Sequence, residues 1–276
     1  MKIGIAGLGL IGGSLAKAFS ALENTQVLGY DISRSVTLSA KLEGAIKDEL
    51  TEENIGECSF IIIALYPQDT IDFVKTHANR IAKNTIVVDC GGVKKSVCDE
   101  CFEIANNHDF TFVGGHPMAG THFSGFSHSR ASMFSNAYMI LVPHRMEKIE
   151  VLAQIKELFV CIGFKGVTVT TAEEHDRIIA YTSQLAHVVS SAYIKSPNAK
   201  VHKGFSAGSY RDMTRVSRLN PDMWAELFLS NRENLIGEID HLIDELKKYK
   251  DSIQKNDFKE LHDLLLEGTK IKESID

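Results

Sequence analysis

Lys2-Ile3-Gly4-Ile5-Ala6, followed by Gly7-Leu8-Gly9-Leu10-Ile11-Gly12-Gly13-Ser14, decides how the rest of this chain is read. An apolar, β-rich run breaks into glycines and resumes over Ser14–Phe19 with helical spacing, which predicts strand, tight turn and helix. Gly7, Gly9 and Gly12 fit G-x-G-x-x-G. In that pattern the first glycine permits the turn, the second lets the backbone approach a pyrophosphate, and the third lets the helix lie close to the strand. The pyrophosphate would rest on unpaired N–H groups at the positive end of the helix dipole. Glycine-rich turns are common, so context matters. A second strand, Gln26-Val27-Leu28-Gly29-Tyr30, ends in Asp31, about where an acid meets the ribose hydroxyls of a dinucleotide.

Working outward, apolar runs recur at Phe60–Leu65, Thr85–Asp89, Phe110–Val113, Tyr138–Val142 and Gly166–Val169. Helical stretches are expected between them over 33–42, 69–82, 96–105 and 147–161, with 45–58 polar and turn-rich. Strands alternating with helices predict an α/β domain with a doubly wound, mainly parallel sheet of the Rossmann type over 1–169. Beyond it, Glu173–Ile194 reads as one helix. From Pro221, residues Trp224, Leu227, Phe228, Leu235, Ile239, Leu242, Ile243 and Leu246 recur at helical spacing as a single long helix, and Phe258–Lys270 forms another. The expectation is an all-helical domain over 170–276, whose long apolar stripe suits a homodimer.

The 276 residues, 44% hydrophobic and 24% charged, are those of an ordinary globular protein. A net charge of −6 argues against a nucleic-acid partner. No apolar run reaches the roughly 20 residues that span a bilayer. Five scattered cysteines suggest reduced thiols and a cytoplasmic location. Cys98-x-x-Cys101 lacks a second ligand pair, so no metal is expected.

Candidate chemistry lies in three places. His116, in Gly114-Gly115-His116-Pro117-Met118-Ala119-Gly120, directly follows a predicted strand at the ligand-binding edge of the sheet. An imidazole there could take the hydroxyl proton of an alcohol as hydride leaves, or merely bond the backbone of a tight turn. His187 sits on a mostly apolar helix, where a histidine is more often a core residue than a ligand. Arg211, Arg215 and Arg218 share one face if 209–218 is helical, which suits capture of a carboxylate. Candidate cofactor residues are Gly7, Leu8, Gly9, Leu10, Ile11 and Gly12 in the first turn, Asp31 and Arg34 after the second strand, and Leu65, Tyr66 and Gly92 at later strand ends. Asp31 favours NAD, because a carboxylate repels the 2′-phosphate of NADP; Ser33 and Arg34 keep NADP as the alternative.

The glycine turn, Gly115-His116-Pro117-Met118-Ala119-Gly120 with Ser124-Gly125, and Arg211-Asp212-Met213-Thr214-Arg215 with Asn220-Pro221-x-x-Trp224 together resemble the prephenate/arogenate dehydrogenase family across essentially the whole chain. The resemblance implies a nucleotide domain followed by a helical dimerisation domain. It also implies oxidative decarboxylation of prephenate, or alternatively arogenate, with NAD or NADP. Carried over by position, His116 matches the catalytic histidine and Arg215 the carboxylate anchor of this dicarboxylate substrate. His187 and Asp212 match residues lining the same site, with Arg211, Ser124 and His122 as further substrate-binding candidates. Two positions depart from the family pattern. Gly92 stands where a serine is common, and His122 where a glutamate is common. A 3-hydroxyacid dehydrogenase is disfavoured because Ser183–Ser191 holds no lysine. A non-catalytic dinucleotide sensor would need neither the aligned base nor the arginine.

Overall fold

The apolar runs of the first 169 residues become strands of one sheet. The computed structural model describes residues 1–121, 123–144 and 148–275. Its strands are β1 (Lys2–Ala6), β2 (Gln26–Tyr30), β3 (Asp48–Glu49), β4 (Phe60–Ile63), β5 (Ile86–Asp89), β6 (Thr111–Pro117), β7 (Tyr138–Pro143) and β8 (Gly166–Val169). They lie in the order β3-β2-β1-β4-β5-β6-β7-β8, and every neighbouring pair is parallel except β6 with β7. Helices α1 (Leu10–Ser20), α2 (Arg34–Leu42), α3 (Pro67–His77), α4 (Lys95–His108) and α5 (Ile149–Val160) join strands. Alternate residues of the central strands feed two cores. Ile62 and Val88 pack with Phe19 and Phe159, whereas Ile61, Ile63 and Val87 pack with Phe73, Val74 and Cys98. Burial on both faces explains why these strands read as unbroken apolar runs.

Strand order reverses between β1 and β4, which opens a crevice beyond their carboxyl ends, where ligands of such sheets bind. Two strands differ from expectation. The polar stretch 45–58 contributes β3, a two-residue edge strand too short to show any alternation. β6 continues four residues past Val113, because antiparallel pairing runs from Val113↔Pro143 to Pro117↔Met139. His116 therefore lies within a strand, opposite Ile140, and does not follow one.

After β8 the described chain is helical. α6 (Ala172–Ile179), a π turn (Ala180–Leu185) and α7 (Ala186–Tyr193) form one continuous run, matching the expected helix except for the π turn. α8 (Gly208–Thr214), α9 (Pro221–Ser230), α10 (Arg232–Lys255) and α11 (Phe258–Ile275) follow. The single long helix expected from Pro221 is in fact two. Asn231, at φ −120°, interrupts it, and its buried side chain bonds the α6 and π-turn segments instead. No described helix is long and apolar enough to cross a membrane. All five cysteines are free, and burial pushes the Cys58 thiol up to about 11.

Candidate active site

The first glycine turn has the shape its sequence implies. Gly7 adopts φ +85°, and a Cβ there would lie 2.5 Å from the Ala64 carbonyl oxygen and 2.8 Å from Leu65 Cδ2. A Cβ on Gly12 would lie 1.8 Å from the Gly7 carbonyl oxygen, whereas one on Gly9 would meet nothing within 4 Å. Gly7 and Gly12 thus serve packing, and Gly9 opens the backbone to the crevice. α1 has no side-chain cap and no acid in its first turn, which leaves the N–H groups around Leu10, Ile11 and Gly12 for an anion. Asp31 accepts hydrogen bonds from Leu8 N (2.9 Å) and Ser33 N (2.9 Å). Each carboxylate oxygen keeps a lone pair for a hydroxyl. Leu8 itself is buried with its N–H already used, so it braces the turn and offers no donor to a ligand. Arg34 opens α2 on the surface, and Tyr66, 41% exposed, precedes α3 across the crevice. This cradle fits a dinucleotide.

His116 is held by an arrangement that the sequence did not reveal. Beyond Val113 the β5 side of β6 has no backbone partner, and two side chains fill that role. Asp89 Oδ1 accepts from Gly115 N (2.9 Å), and Lys94 Nζ donates to Gly115 O (2.6 Å) while pairing with Asp89. Both charged side chains are fully buried. Gly115 is required here, since a Cβ would come within 2.3 Å of the Asp89 carbonyl oxygen.

His116 Nδ1 lies 2.9 Å from His175 Nε2, and His175 Nδ1 lies 2.6 Å from Asp176 Oδ1. The Asp176 carboxylate also accepts the backbone N–H groups of Lys94 (2.8 Å) and Lys95 (2.9 Å) at the start of α4. An ionised carboxylate only accepts, so His175 donates from Nδ1, and in the tautomer that carries no second ring proton it accepts at Nε2. In that tautomer His116 donates from Nδ1, which leaves its Nε2 lone pair without a partner among the described residues. Burial, then the neighbouring His175 and Lys94, push the His116 pKa well below the usual imidazole range. His116 is a neutral ring with one free basic nitrogen.

A second cluster forms where α7, α8 and α9 meet. The His187 ring lies over Trp224, with centroids 3.9 Å apart, and its Nδ1 donates to the Ser183 carbonyl (2.8 Å). Burial lowers the His187 pKa, and the Arg215 charge adds to that effect. Ser190 Oγ donates to Met213 O (2.7 Å), which ties α8 to α7, while Asn220 caps α9 through Asp222 N (3.1 Å). α8 ends at Thr214, so the common face expected for Arg211, Arg215 and Arg218 does not form. The Arg215 charge, at the helix end, acts on His187; Arg211, Asp212, Arg215 and Arg218 all lie on exposed surface. Ser124 is exposed, at the start of a loop whose Phe126 packs against Gly13 of α1. His122 lies outside the described residues. Gly92 faces Leu227 of α9, whose methyl carbons would be 3.4 and 3.6 Å from an added Cβ.

The sequence pointed to residues on the sheet and on the helices but not to what joins them. It missed His175, Asp176, Asp89, Lys94, Gln184 and Asn231. Asn231 Nδ2 donates to the Asp176 carbonyl (2.8 Å) and to Gln184 Oε1 (2.8 Å), which locks the α6 and π-turn segments to the start of α10. Glu173-Glu174-His175-Asp176 looks like a solvated helix start. The available signals were the adjacent His175-Asp176 pair and, separately, the charged Lys94 just after the Gly91-Gly92 turn.

A family model described as the nucleotide-binding domain of prephenate dehydrogenase matches residues 15–168, and one for its dimerization domain matches 171–267. The chain is 30% identical to prephenate dehydrogenase of Bacillus subtilis over 93% of its own length and 71% of that protein. It is 32% identical to cyclohexadienyl dehydrogenase of Zymomonas mobilis, covering 92% and 89% respectively. The solved structure of A. aeolicus prephenate dehydrogenase in complex with hydroxyphenyl propionate and NAD+ matches with a TM-score of 0.87 at 26% identity, covering 100% of this chain and 98% of that one. By sequence and by fold, this chain belongs to the prephenate dehydrogenase family.

Proposed function

We propose that this chain is an NAD-dependent prephenate dehydrogenase that converts prephenate to 4-hydroxyphenylpyruvate. The observation that carries the reading is the Nε2 of His116, without a partner among the described residues and oriented by the line of hydrogen bonds from Asp176. His116 accepts the proton of the ring hydroxyl as the carbon beneath it is oxidised. NAD, when bound in the crevice, supplies the hydride acceptor. The resulting ketone is conjugated to the carbon bearing the carboxylate, so carbon dioxide leaves as the ring becomes aromatic. Arg215 is the carboxylate anchor, and His187 and Trp224 shape that end of the site.

The pinned Asp31 favours NAD over NADP. Turning the carboxylate away from a 2′-phosphate would break two bonds to backbone N–H groups. Arogenate is the second reading, since the likeness to a cyclohexadienyl dehydrogenase fits either ring substrate. The division into a dinucleotide-binding part over 1–169 and a helical part over 170–276 is supported by the last strand ending at Val169. We assign the helical part to a homodimer, since Ile236, Ile243, Leu246 and Ile253 stand 42–64% exposed along α10. Four buried, reduced cysteines suit a cytoplasmic enzyme. The test is NADH absorbance on adding prephenate or arogenate with NAD or NADP; no signal from any pair overturns the enzyme assignment.

A further inference from the structure

His175 does more in this geometry than steady its neighbour. We propose that it carries the proton onward: as the substrate hydroxyl gives its proton to His116 Nε2, the Nδ1 proton of His116 passes to His175 Nε2. The proposal rests on the reading of His116 as the base. In this step the O–H bond breaks and a bond from His116 Nε2 to hydrogen forms. The Nδ1–H bond of His116 breaks, and a bond from His175 Nε2 to hydrogen forms. The O–H electron pair becomes the carbonyl π bond while hydride departs to NAD. His116 ends neutral with its tautomer reversed, and the positive charge rests on His175. After product leaves, His116 releases the Nε2 proton to water and recovers its Nδ1 proton from His175.

Three observations support the direction of transfer. The two ring nitrogens are 2.9 Å apart, a hydrogen bond along which a proton moves without rearrangement. The His116 position resists a cation, because the half-buried ring loses solvation and faces His175 and the Lys94 ammonium group. His175 instead faces the Asp176 carboxylate at 2.6 Å and is 2% exposed, so a charge there is paired at once. The Asp176 carboxylate also accepts the backbone N–H groups of Lys94 and Lys95, which holds it in place against His175. The other charged groups around this line are Asp89 and the Lys94 side chain, paired with each other; Gln184 and Asn231 on the helical side are neutral.

A mere positioning role is separated from a relay by His175→Gln in the full-length enzyme. The glutamine amide oxygen can accept from His116 Nδ1 but cannot take its proton. We expect the single-turnover rate of NADH formation to fall at least tenfold, with the KM for prephenate changed less than threefold and NAD binding retained. We also expect the proton inventory in mixed H2O and D2O to be curved in wild type and linear in the variant. A near-wild-type rate in His175→Gln, or a linear inventory in wild type, overturns the relay. Nitrogen-15 NMR of the wild type needs no variant: His116 protonated on Nε2 at rest also overturns it. If His116→Asn keeps the single-turnover rate, the base assignment fails and the relay with it. A loss seen in His116→Asn but not in His175→Gln leaves the base standing and removes the relay alone.

Discussion

An imidazole in water is half protonated near pH 6.5; His116 is kept neutral well below that by burial, His175 and Lys94. The acid limb of kcat/KM is therefore expected below pH 6.5, and a limb at or above 6.5 would show that the ring is not so perturbed. The same shift acts on stability. The unfolded chain takes up a proton near pH 6.5 that the folded chain resists, so this contribution is present above 6.5 and lost as pH falls through it. His116→Asn should lower kcat by roughly 10²–10⁴-fold with little change in KM, since a general base acts in the transition state. Arg215→Ala should instead raise KM roughly tenfold to a hundredfold, from about 1.5–3 kcal/mol for a charge-assisted pair; an unchanged KM would mean that Arg215 is only a surface charge. Lys94→Met strands the Asp89 carboxylate in a fully buried position. Thermal melting should show a loss of about 3–5 kcal/mol, and a melting point like that of wild type would contradict the pairing.

At the scale of an element, the first turn separates two kinds of glycine. Gly12→Ala forces a methyl group into the Gly7 carbonyl and should destabilise the fold. Gly9→Ala has open space around it and should melt like wild type, yet weaken NAD binding, because that space belongs to the pyrophosphate. Paired melting and NAD titration of the two variants check this. Equal effects on both readouts would reject the division of roles. The turn was legible in sequence because each glycine answers a local constraint. The end of α8 was not. Arg211, Arg215 and Arg218 have perfect helical spacing, but the chain leaves the helix at Thr214, where α8 is already tied to α7 through Ser190. The π turn was likewise invisible, since one helical periodicity on either side of Ala180–Leu185 hides a local change of pitch.

Across the whole molecule, the sheet and the helices meet at the candidate site. Asp176 from α6 caps α4, Asn231 grips α6 and the π turn from the start of α10, and Leu227 of α9 covers Gly92. His116 as the proposed base on the sheet and Arg215 as the proposed anchor on the helical side can act on one substrate only if that junction is firm. The exposed stripe Ile236, Ile243, Leu246 and Ile253 on α10 predicts a dimer by sedimentation. Leu246→Asp should shift it towards monomer, and a wild-type monomer at micromolar concentration would remove the interface from this helix.

The sequence alone determined the alternating strands and helices, the dinucleotide turn, and His116 and Arg215 as the groups to examine. Those features follow from periodicity and from local backbone demands, which neighbouring residues carry. Tertiary structure decided the setting of His116. Its tautomer depends on His175 and Asp176, 59 and 60 positions away, and its strand is completed by the side chains of Asp89 and Lys94. Hydrogen bonds between residues so far apart leave no period in the chain; only burial makes each of these polar groups find a partner.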